Sequence, residues 1–233
     1  MPASTTPESG DDTAFVRDFF DRQYRLHRRY WWREDNRYSL EPENHTAFNG
    51  CTLRALRARS PGRALDIGAG EGADSIRLAK LGYEVDALEL SPIACEKIES
   101  FARVERVRLN IRNESALTAS LTNGVYDVVV MNGSLHYLSE KEVTLQHASR
   151  WSAPRALHVI SLFSTATPPP REHAVIPIFP DGEDGVVKKF YEQHRIMRLM
   201  CQRAKVETSH PGFSEHVHSY LKMIVELSND ETR

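Results

Sequence analysis

The fold is decided by Arg63–Ser91, which reads RALDIGAGEGADSIRLAKLGYEVDALELS. This stretch predicts a short apolar strand containing Asp66, a helix, and a second strand that ends at Glu89. Between the first strand and the helix, glycine occupies every second position (Gly68, Gly70, Gly72). Such a turn lets backbone N–H groups approach a nucleoside ligand, and the helix N-terminus adds its dipole. Because an acid about 20 residues further on can accept hydrogen bonds from ribose hydroxyls, the stretch indicates a nucleoside-cofactor site.

Two kinds of nucleoside cofactor compete for this site. Gly68-x-Gly70-x-x-Ala73 satisfies the dinucleotide fingerprint, which is weak evidence by itself. Asp66 beside the turn suits a cationic cofactor better than a pyrophosphate, because its negative charge would repel phosphates. The motif begins about 60 residues into a chain of 233, which leaves little room for a separate substrate domain. An NAD-dependent oxidoreductase stays as the alternative, although the chain shows no Tyr-x-x-x-Lys proton-donor arrangement.

LDIGAGEG and the following LELS resemble motif I and the acidic strand end of class I S-adenosylmethionine-dependent methyltransferases. Val125–Leu138 and Ala156–Phe163 are similar to the fourth and fifth strands of that family. ADSIRLAKLGYEVDALELS further resembles the tellurite-resistance-type branch, which methylates small molecules and chalcogen anions. The resemblance covers about residues 61–227. It implies an α/β fold: a Rossmann-like, mostly parallel seven-stranded sheet with helices on both faces and an N-terminal helical cover.

The resemblance also implies a set of cofactor contacts for S-adenosylmethionine and its product S-adenosylhomocysteine. Asp66 and the three glycines would meet the methionine part, Glu89 the ribose, and Leu90 one face of the adenine. Either Asn113 or Glu114 would meet the adenine amino group, where the family often has an aspartate. Asn132 would contact the methionine amino group.

On the acceptor side, His136 is the candidate general base, because the pKa of histidine lies near working pH. Methyl transfer from a sulfonium can also proceed by alignment alone, in which case His136 shapes the pocket. The segment Arg22–Asp35 mixes five arginines with four aromatic residues. It could bind RNA, close as a lid over a small substrate, or pack as an amphipathic helix. The candidate acceptor contacts are Tyr24, Tyr30, Trp31, Tyr137 and Tyr191.

Composition limits the other possibilities. With 40% hydrophobic and 27% charged residues, the chain can form one ordinary globular domain. A net charge of -2 argues against an overall electrostatic attraction to nucleic acid or anionic lipid. No apolar run approaches the roughly 20 residues of a membrane span, and the first residues do not resemble a signal peptide. A cytoplasmic protein is therefore expected, and its three cysteines suit reduced thiols.

The sequence predicts four segments: a disordered tail (1–12), an N-terminal helical lid (13–60), the cofactor-binding domain (61–227) and a short tail (228–233). The first helix is expected over Thr13–Tyr30 and the third strand over Val107–Ile111. Lys205–Thr208 and Tyr220–Leu227 are expected to form a terminal hairpin.

Three histidines near the C-terminus raise the question of a metal site. His216 and His218 have the spacing that puts two side chains on one side of a strand, and His210 lies nearby. No acid or cysteine completes a ligand set at a convincing sequence spacing, so the sequence predicts no metal site.

Taken together, these features predict methyl transfer from S-adenosylmethionine to a small-molecule acceptor, a metabolite or natural-product intermediate, by in-line displacement. The alternatives are an NAD-dependent oxidoreductase, a non-catalytic cofactor- or partner-binding domain and, more weakly, an RNA methyltransferase. The oligomeric state is not indicated.

Overall fold

The computed structural model describes residues 9–30, 38–170, 175–207 and 214–228, with side chains described from residue 13 onward. Seven strands form one sheet: β1 (Arg63–Ile67), β2 (Glu84–Glu89), β3 (Asn110–Asn113), β4 (Tyr126–Asn132), β5 (Ser152–Phe163), β6 (Arg195–Glu207) and β7 (His216–Glu226). Their order across the sheet is β3-β2-β1-β4-β5-β7-β6. β1 to β5 are parallel, and β7 runs antiparallel to both β5 and β6. The predicted seven-stranded, mostly parallel sheet is confirmed.

The helices are α1 (Ser9–Leu26), α2 (Ala47–Arg57), α3 (Ala73–Lys80), α4 (Pro92–Val104), α5 (Lys141–Trp151) and α6 (Val186–Phe190). Ser91 caps α4: its hydroxyl accepts the Ala94 N–H at 3.0 Å, and Pro92 takes the first helical position. Within the described ranges, no helix combines the length and apolar character that crossing a bilayer requires.

Helices cover both faces of the sheet. One face packs against α2 and α3 through a cluster that includes Phe48, Leu56, Leu78, Val128 and Val159. The opposite face packs against α5 and α6 through a cluster that includes Val129, Leu145, Trp151, Ile160 and Val187. Because the central strands are buried on both sides, they read in the sequence as nearly continuous apolar runs.

Several element boundaries differ from those that the sequence predicts. α1 begins at Ser9, so residues 9–12 belong to the helix and not to the predicted tail, whereas residues 1–8 lie outside the described residues. β3 begins at Asn110, because Val107 and Leu109 pack against the cluster around Phe101 instead of pairing with β2. Both hairpin strands are longer than expected, since β6 starts at Arg195 and β7 at His216.

Tyr191, which the sequence assigns to the acceptor, lies in the core. Its side chain is fully buried, and its hydroxyl lies 2.7 Å from Nδ1 of His158 in the middle of β5. Nε2 of His158 lies 2.7 Å from Oγ of Ser152, which donates to the Ala148 carbonyl at 2.6 Å. Because the Ser152 hydroxyl donates its proton to Ala148, it accepts the hydrogen bond from Nε2–H of His158. Nδ1 of His158 therefore carries the lone pair and accepts from the Tyr191 hydroxyl. Burial lowers the pKa of His158 to about 3, which keeps the ring neutral. The assignment of Tyr191 to the acceptor is therefore corrected to a structural one.

We expect Tyr191→Phe to lower the free energy of unfolding by about 1–3 kcal/mol, because it leaves a buried imidazole nitrogen without its donor. Combined with Ser152→Ala, it should show a coupling of at least about 0.5 kcal/mol in urea denaturation, since both changes act on His158. Tyr83→Phe is the matched control, because the hydroxyl of Tyr83 donates to Leu56 on the opposite face. Strict additivity of Tyr191→Phe with Ser152→Ala would contradict the hydrogen-bond chain.

Candidate active site

The polar residues singled out in the sequence meet at the carboxyl ends of β1, β2 and β4, which is where open parallel sheets bind ligands. Gly68, Gly70 and Gly72 all have positive φ angles, of 72°, 56° and 80°. A Cβ at Gly68 would overlap the side chain of Ser134 in the loop after β4. The turn therefore requires glycine for its backbone conformation and, at Gly68, also for its closeness to the neighbouring loop.

Asp66 lies at the base of this turn and is buried. Its carboxylate accepts the hydroxyl of Ser75, on α3, at 2.6 Å. Burial raises the pKa of Asp66 well above its usual range, and the nearby charge of Asp74 adds to the effect. The structure thus holds an acid beside the glycine turn whose ionised form would be stabilised by a positive charge placed there.

Glu89 connects the two turns that follow β1 and β2. Its Oε2 accepts the Gly70 N–H at 2.7 Å, and its Oε1 accepts the Ser91 N–H at 2.8 Å. Burial raises the pKa of Glu89 to about 7, although these backbone hydrogen bonds favour the ionised form. The side chain lies at the tip of β2, where the sequence places the acceptor for ribose hydroxyls.

The two candidates for the adenine contact, Asn113 and Glu114, have different partners. The Asn113 amide donates to the carbonyl oxygens of Glu89 at 3.0 Å and Leu90 at 2.8 Å, so it lies at the tip of β2 beside the half-buried Leu90. Glu114 instead forms an ion pair with Arg112 at 2.9 Å. Asn113 is therefore bound to the end of β2, whereas Glu114 is held by Arg112.

Asn132 ends β4, and its amide donates to the carboxylate of Asp74 at 2.7 Å. Asp74 lies in the first turn of α3 and also pairs with Arg77 at 2.7 Å. Asn132 is exposed and is bonded to the first turn of α3, the helix that follows the glycine turn.

The hydrogen bonding of His136 does not support the predicted role as a base. Its Nδ1 accepts the backbone N–H of Phe163 at 3.3 Å, and its ring stacks on the Phe163 ring at 4.0 Å. Because a backbone N–H can only donate, Nδ1 carries the lone pair and Nε2 carries the proton in the neutral ring. Proton uptake at Nδ1 would require loss of that hydrogen bond. His136 is 3% exposed and lies in the turn after β4.

Aromatic residues from α1 and its C-terminal extension cover this end of the sheet. Tyr24 and Tyr30 are buried in one cluster with Phe20, and Tyr137 packs against it, edge-on to Phe20 at 5.1 Å. Two isoleucines of the segment after β5, Ile176 and Ile178, complete the cluster. These contacts agree with both the lid and the packing interpretations of the N-terminal segment. Trp31 lies outside the described residues.

Glu71 is a site residue that the sequence interpretation missed. Its buried carboxylate accepts the Tyr30 N–H at 2.9 Å and pairs with Lys97 of α4 at 2.9 Å. Lys97 also donates to the His27 carbonyl at 2.5 Å. A second link joins α1 to the start of α4, because the Ser91 hydroxyl donates to Asp21. The sequence feature that pointed to this residue is an acid that stands between two glycines of the turn.

A family model described as a methyltransferase domain matches residues 65–158, the segment that contains the glycine turn and Glu89. The ribosomal protein L11 methyltransferase of Campylobacter concisus is 39% identical over 93 residues, which is 38% of this chain and 32% of that protein. Its counterpart from Campylobacter fetus subsp. fetus is 44% identical over 71 residues, 30% of this chain and 24% of that protein. The chain thus spans a third or less of the length of these curated relatives.

Solved structures share the fold at low identity. TehB from Haemophilus influenzae superposes with a TM-score of 0.66 at 17% identity, over 79% of this chain and 64% of that one. The 1,6-didemethyltoxoflavin-N1-methyltransferase of Burkholderia thailandensis, solved with S-adenosylhomocysteine, gives 0.65 at 16% identity over 97% and 93%. The [4+2]-cyclase SpnF gives 0.65 at 12% identity over 96% and 97%. At such identities these matches show the fold alone. The chain thus contains a segment, residues 65–158, that matches a methyltransferase-domain model, within a fold that these solved structures share.

Proposed function

We propose that this chain transfers a methyl group from S-adenosylmethionine to a small-molecule acceptor, a metabolite or natural-product intermediate. The observation that carries the proposal is the meeting of Glu89 with the glycine turn at the carboxyl ends of adjacent strands, under an aromatic cover. Bound S-adenosylmethionine supplies an electrophilic methyl on sulfur, whose bonding electrons stay with the sulfur when an acceptor lone pair takes the methyl.

The residues of the site fit this cofactor. Gly68 and Gly70 carry no side chains of their own, which lets their backbone come close to a ligand, and Glu89 presents a carboxylate that can accept two ribose hydroxyls. A sulfonium bound beside Asp66 would stabilise its ionised form, which burial disfavours in the free protein. Asn113 lies where it can define the adenine edge, and Asn132 borders the methionine end.

The chain contributes to the transfer mainly by alignment. In-line displacement from a sulfonium has a good leaving group, so holding the acceptor on the axis can provide most of the acceleration. The ring stack of His136 on Phe163 and the packing of Tyr137 on Phe20 give the acceptor end fixed walls. Tyr24 and Tyr30 would exclude water from above.

A small acceptor is favoured over a macromolecule by this enclosure. The relatives named for a ribosomal protein match over 93 residues or fewer, so most of each of those proteins lies outside the match. The basic segment gives little support to RNA binding, because Arg29 packs its guanidinium over the Phe101 ring at 4.7 Å.

Glu89→Gln should weaken the binding of S-adenosylhomocysteine by about 10- to 150-fold, because a hydrogen bond to a charged acceptor contributes about 1.5–3 kcal/mol. Titration calorimetry with S-adenosylhomocysteine, S-adenosylmethionine and NADH measures this. Glu84→Gln, at the exposed opposite end of β2, is the matched control and should bind like the wild type. Tight binding of NADH alone would refute the methyltransferase proposal.

The affinity for S-adenosylhomocysteine should fall as pH drops below about 7. The pKa of Glu89 is raised to about 7 in the free protein, and the ionised carboxylate is the better acceptor for two hydroxyls. The association constant should therefore decrease by up to tenfold per pH unit below 7 and level off above it. Calorimetry between pH 5.5 and 8.5 tests this, because that range extends about one to two pH units on either side of the pKa of Glu89. A profile for Glu89→Gln that is as steep as the wild type would assign the titration to another group, such as Asp66.

Incubation with S-adenosylmethionine carrying a labelled methyl group should label a low-molecular-weight cell extract. Ribosomal protein L11 and total RNA, supplied as separate acceptors, should remain unlabelled. The Glu89→Gln variant is the blank for each pool. Label in the protein or RNA fraction alone would replace the small-molecule acceptor with that class.

A further inference from the structure

The hairpin of β6 and β7 extends past the carboxyl end of β5. Phe163, the last residue of β5, pairs with Tyr220, so His216 and His218 lie on the part of β7 beyond it. In the pairing of the two hairpin strands, Glu207 lies directly opposite His216. His216 and His218 are two residues apart and share one face, so the hairpin brings one carboxylate and two imidazoles together beside the acceptor end of the sheet.

The donor atoms of these three side chains converge. Oε2 of Glu207 lies 3.9 Å from Nε2 of His216 and 3.9 Å from Nε2 of His218. One ligand atom from each residue falls within 4.8 Å of the other two. Two ligands of a single tetrahedral zinc ion lie about 3.3–3.5 Å apart, since each is about 2.0–2.2 Å from the metal. Movements of about half to one ångström therefore suffice for all three to bind one ion.

Neighbouring groups orient the ligands. Nδ1 of His216 lies 2.6 Å from the Ser214 carbonyl, which can only accept, so the proton is on Nδ1 and the lone pair is on Nε2. Oε1 of Glu207 accepts the Tyr220 hydroxyl at 2.6 Å and the Lys205 ammonium at 3.0 Å, which turns Oε2 toward the histidines. The ring of His218 stacks on Phe163 at 4.2 Å, with an interplanar angle of 12°. Contacts of this kind orient the ligands of metal sites.

From this arrangement we propose that Glu207, His216 and His218 bind a divalent transition-metal ion of the zinc type. Two imidazoles and a carboxylate are a ligand set for zinc or another first-row ion, whereas magnesium and calcium prefer oxygen ligands throughout. Side chains of the histidines are 7% and 3% exposed and that of Glu207 is 20% exposed, so the site is enclosed but reachable. Three protein ligands leave one coordination position for water or a substrate atom.

The site borders the acceptor region, because Phe163 lies between His218 and His136 and stacks on both rings. The proposal does not rest on the proposed methyl transfer, since metal binding is measured on the isolated chain. The competing explanation of the cluster is a proton shared between a histidine and Glu207.

Untagged protein, stripped with a chelator and re-dialysed, should bind one equivalent of Zn²⁺ in competition with a chromophoric chelator. The Co²⁺-loaded protein should show visible ligand-field absorption without a thiolate charge-transfer band. His216→Ala and His218→Ala should each weaken binding at least 100-fold, and Glu207→Gln at least tenfold. His147→Ala, on α5 and bonded to the Ala116 carbonyl, is the matched control and should bind normally.

Lys205→Gln distinguishes metal binding by Glu207 from a purely structural effect of the ligand variants. Removal of a cation that contacts the same carboxylate should increase Zn²⁺ affinity, by about two- to tenfold. Binding that is absent from the wild type, or that survives in all three ligand variants, would overturn the proposal; the former result would leave the shared proton as the explanation.

Discussion

One carboxylate holds the two turns of the site together. Glu89 bonds the Gly70 N–H, in the turn after β1, and the Ser91 N–H, in the turn after β2. Its burial raises its pKa to about 7, so between about pH 4.5 and 7 the folded chain holds a proton that the unfolded chain has released. Because a raised acid pKa means that the folded state binds more protons, the free energy of unfolding falls as pH rises through that window. An acid on the surface would not lower the free energy of unfolding in this way. Buried acids with raised pKa values are typical of ligand-binding sites.

The α1 segment, whose aromatic residues cover this end of the sheet, is bonded to the glycine turn. Glu71 lies between two of the glycines, and its carboxylate bonds the Tyr30 backbone and Lys97. Loss of one partner from such a buried pair costs about 3–5 kcal/mol. Movement of the α1 segment away from the sheet would expose this carboxylate, so the position of the cover and the shape of the cofactor turn are coupled.

Local sequence patterns predicted the part of the molecule that is set by local physics. Three glycines at alternate positions, an apolar strand on each side and an acid at the end of the second strand predict the parallel sheet that the structure has. β6 was largely missed, because an edge strand that is mostly exposed shows no apolar alternation. Tyr191 was misplaced because a buried tyrosine bonded to a buried histidine looks, in sequence, like any aromatic near a pocket.

Contacts between residues far apart in the sequence are the part of the structure that the sequence did not predict. Glu207 and His216 are nine positions apart in sequence, and only the pairing of β6 with β7 brings them face to face. The tautomer of His136, in the turn after β4, likewise follows from a distant partner, the N–H of Phe163 at the end of β5. The segment that the family model matches, residues 65–158, ends before Phe163 and before the Glu207–His216 pair. A methyltransferase and a cyclase share this fold, so the sheet alone does not decide the reaction, and the differences must lie in the segments around it. In this chain α1, the loop after β4 and the terminal hairpin meet through the rings of Tyr137, His136 and Phe163.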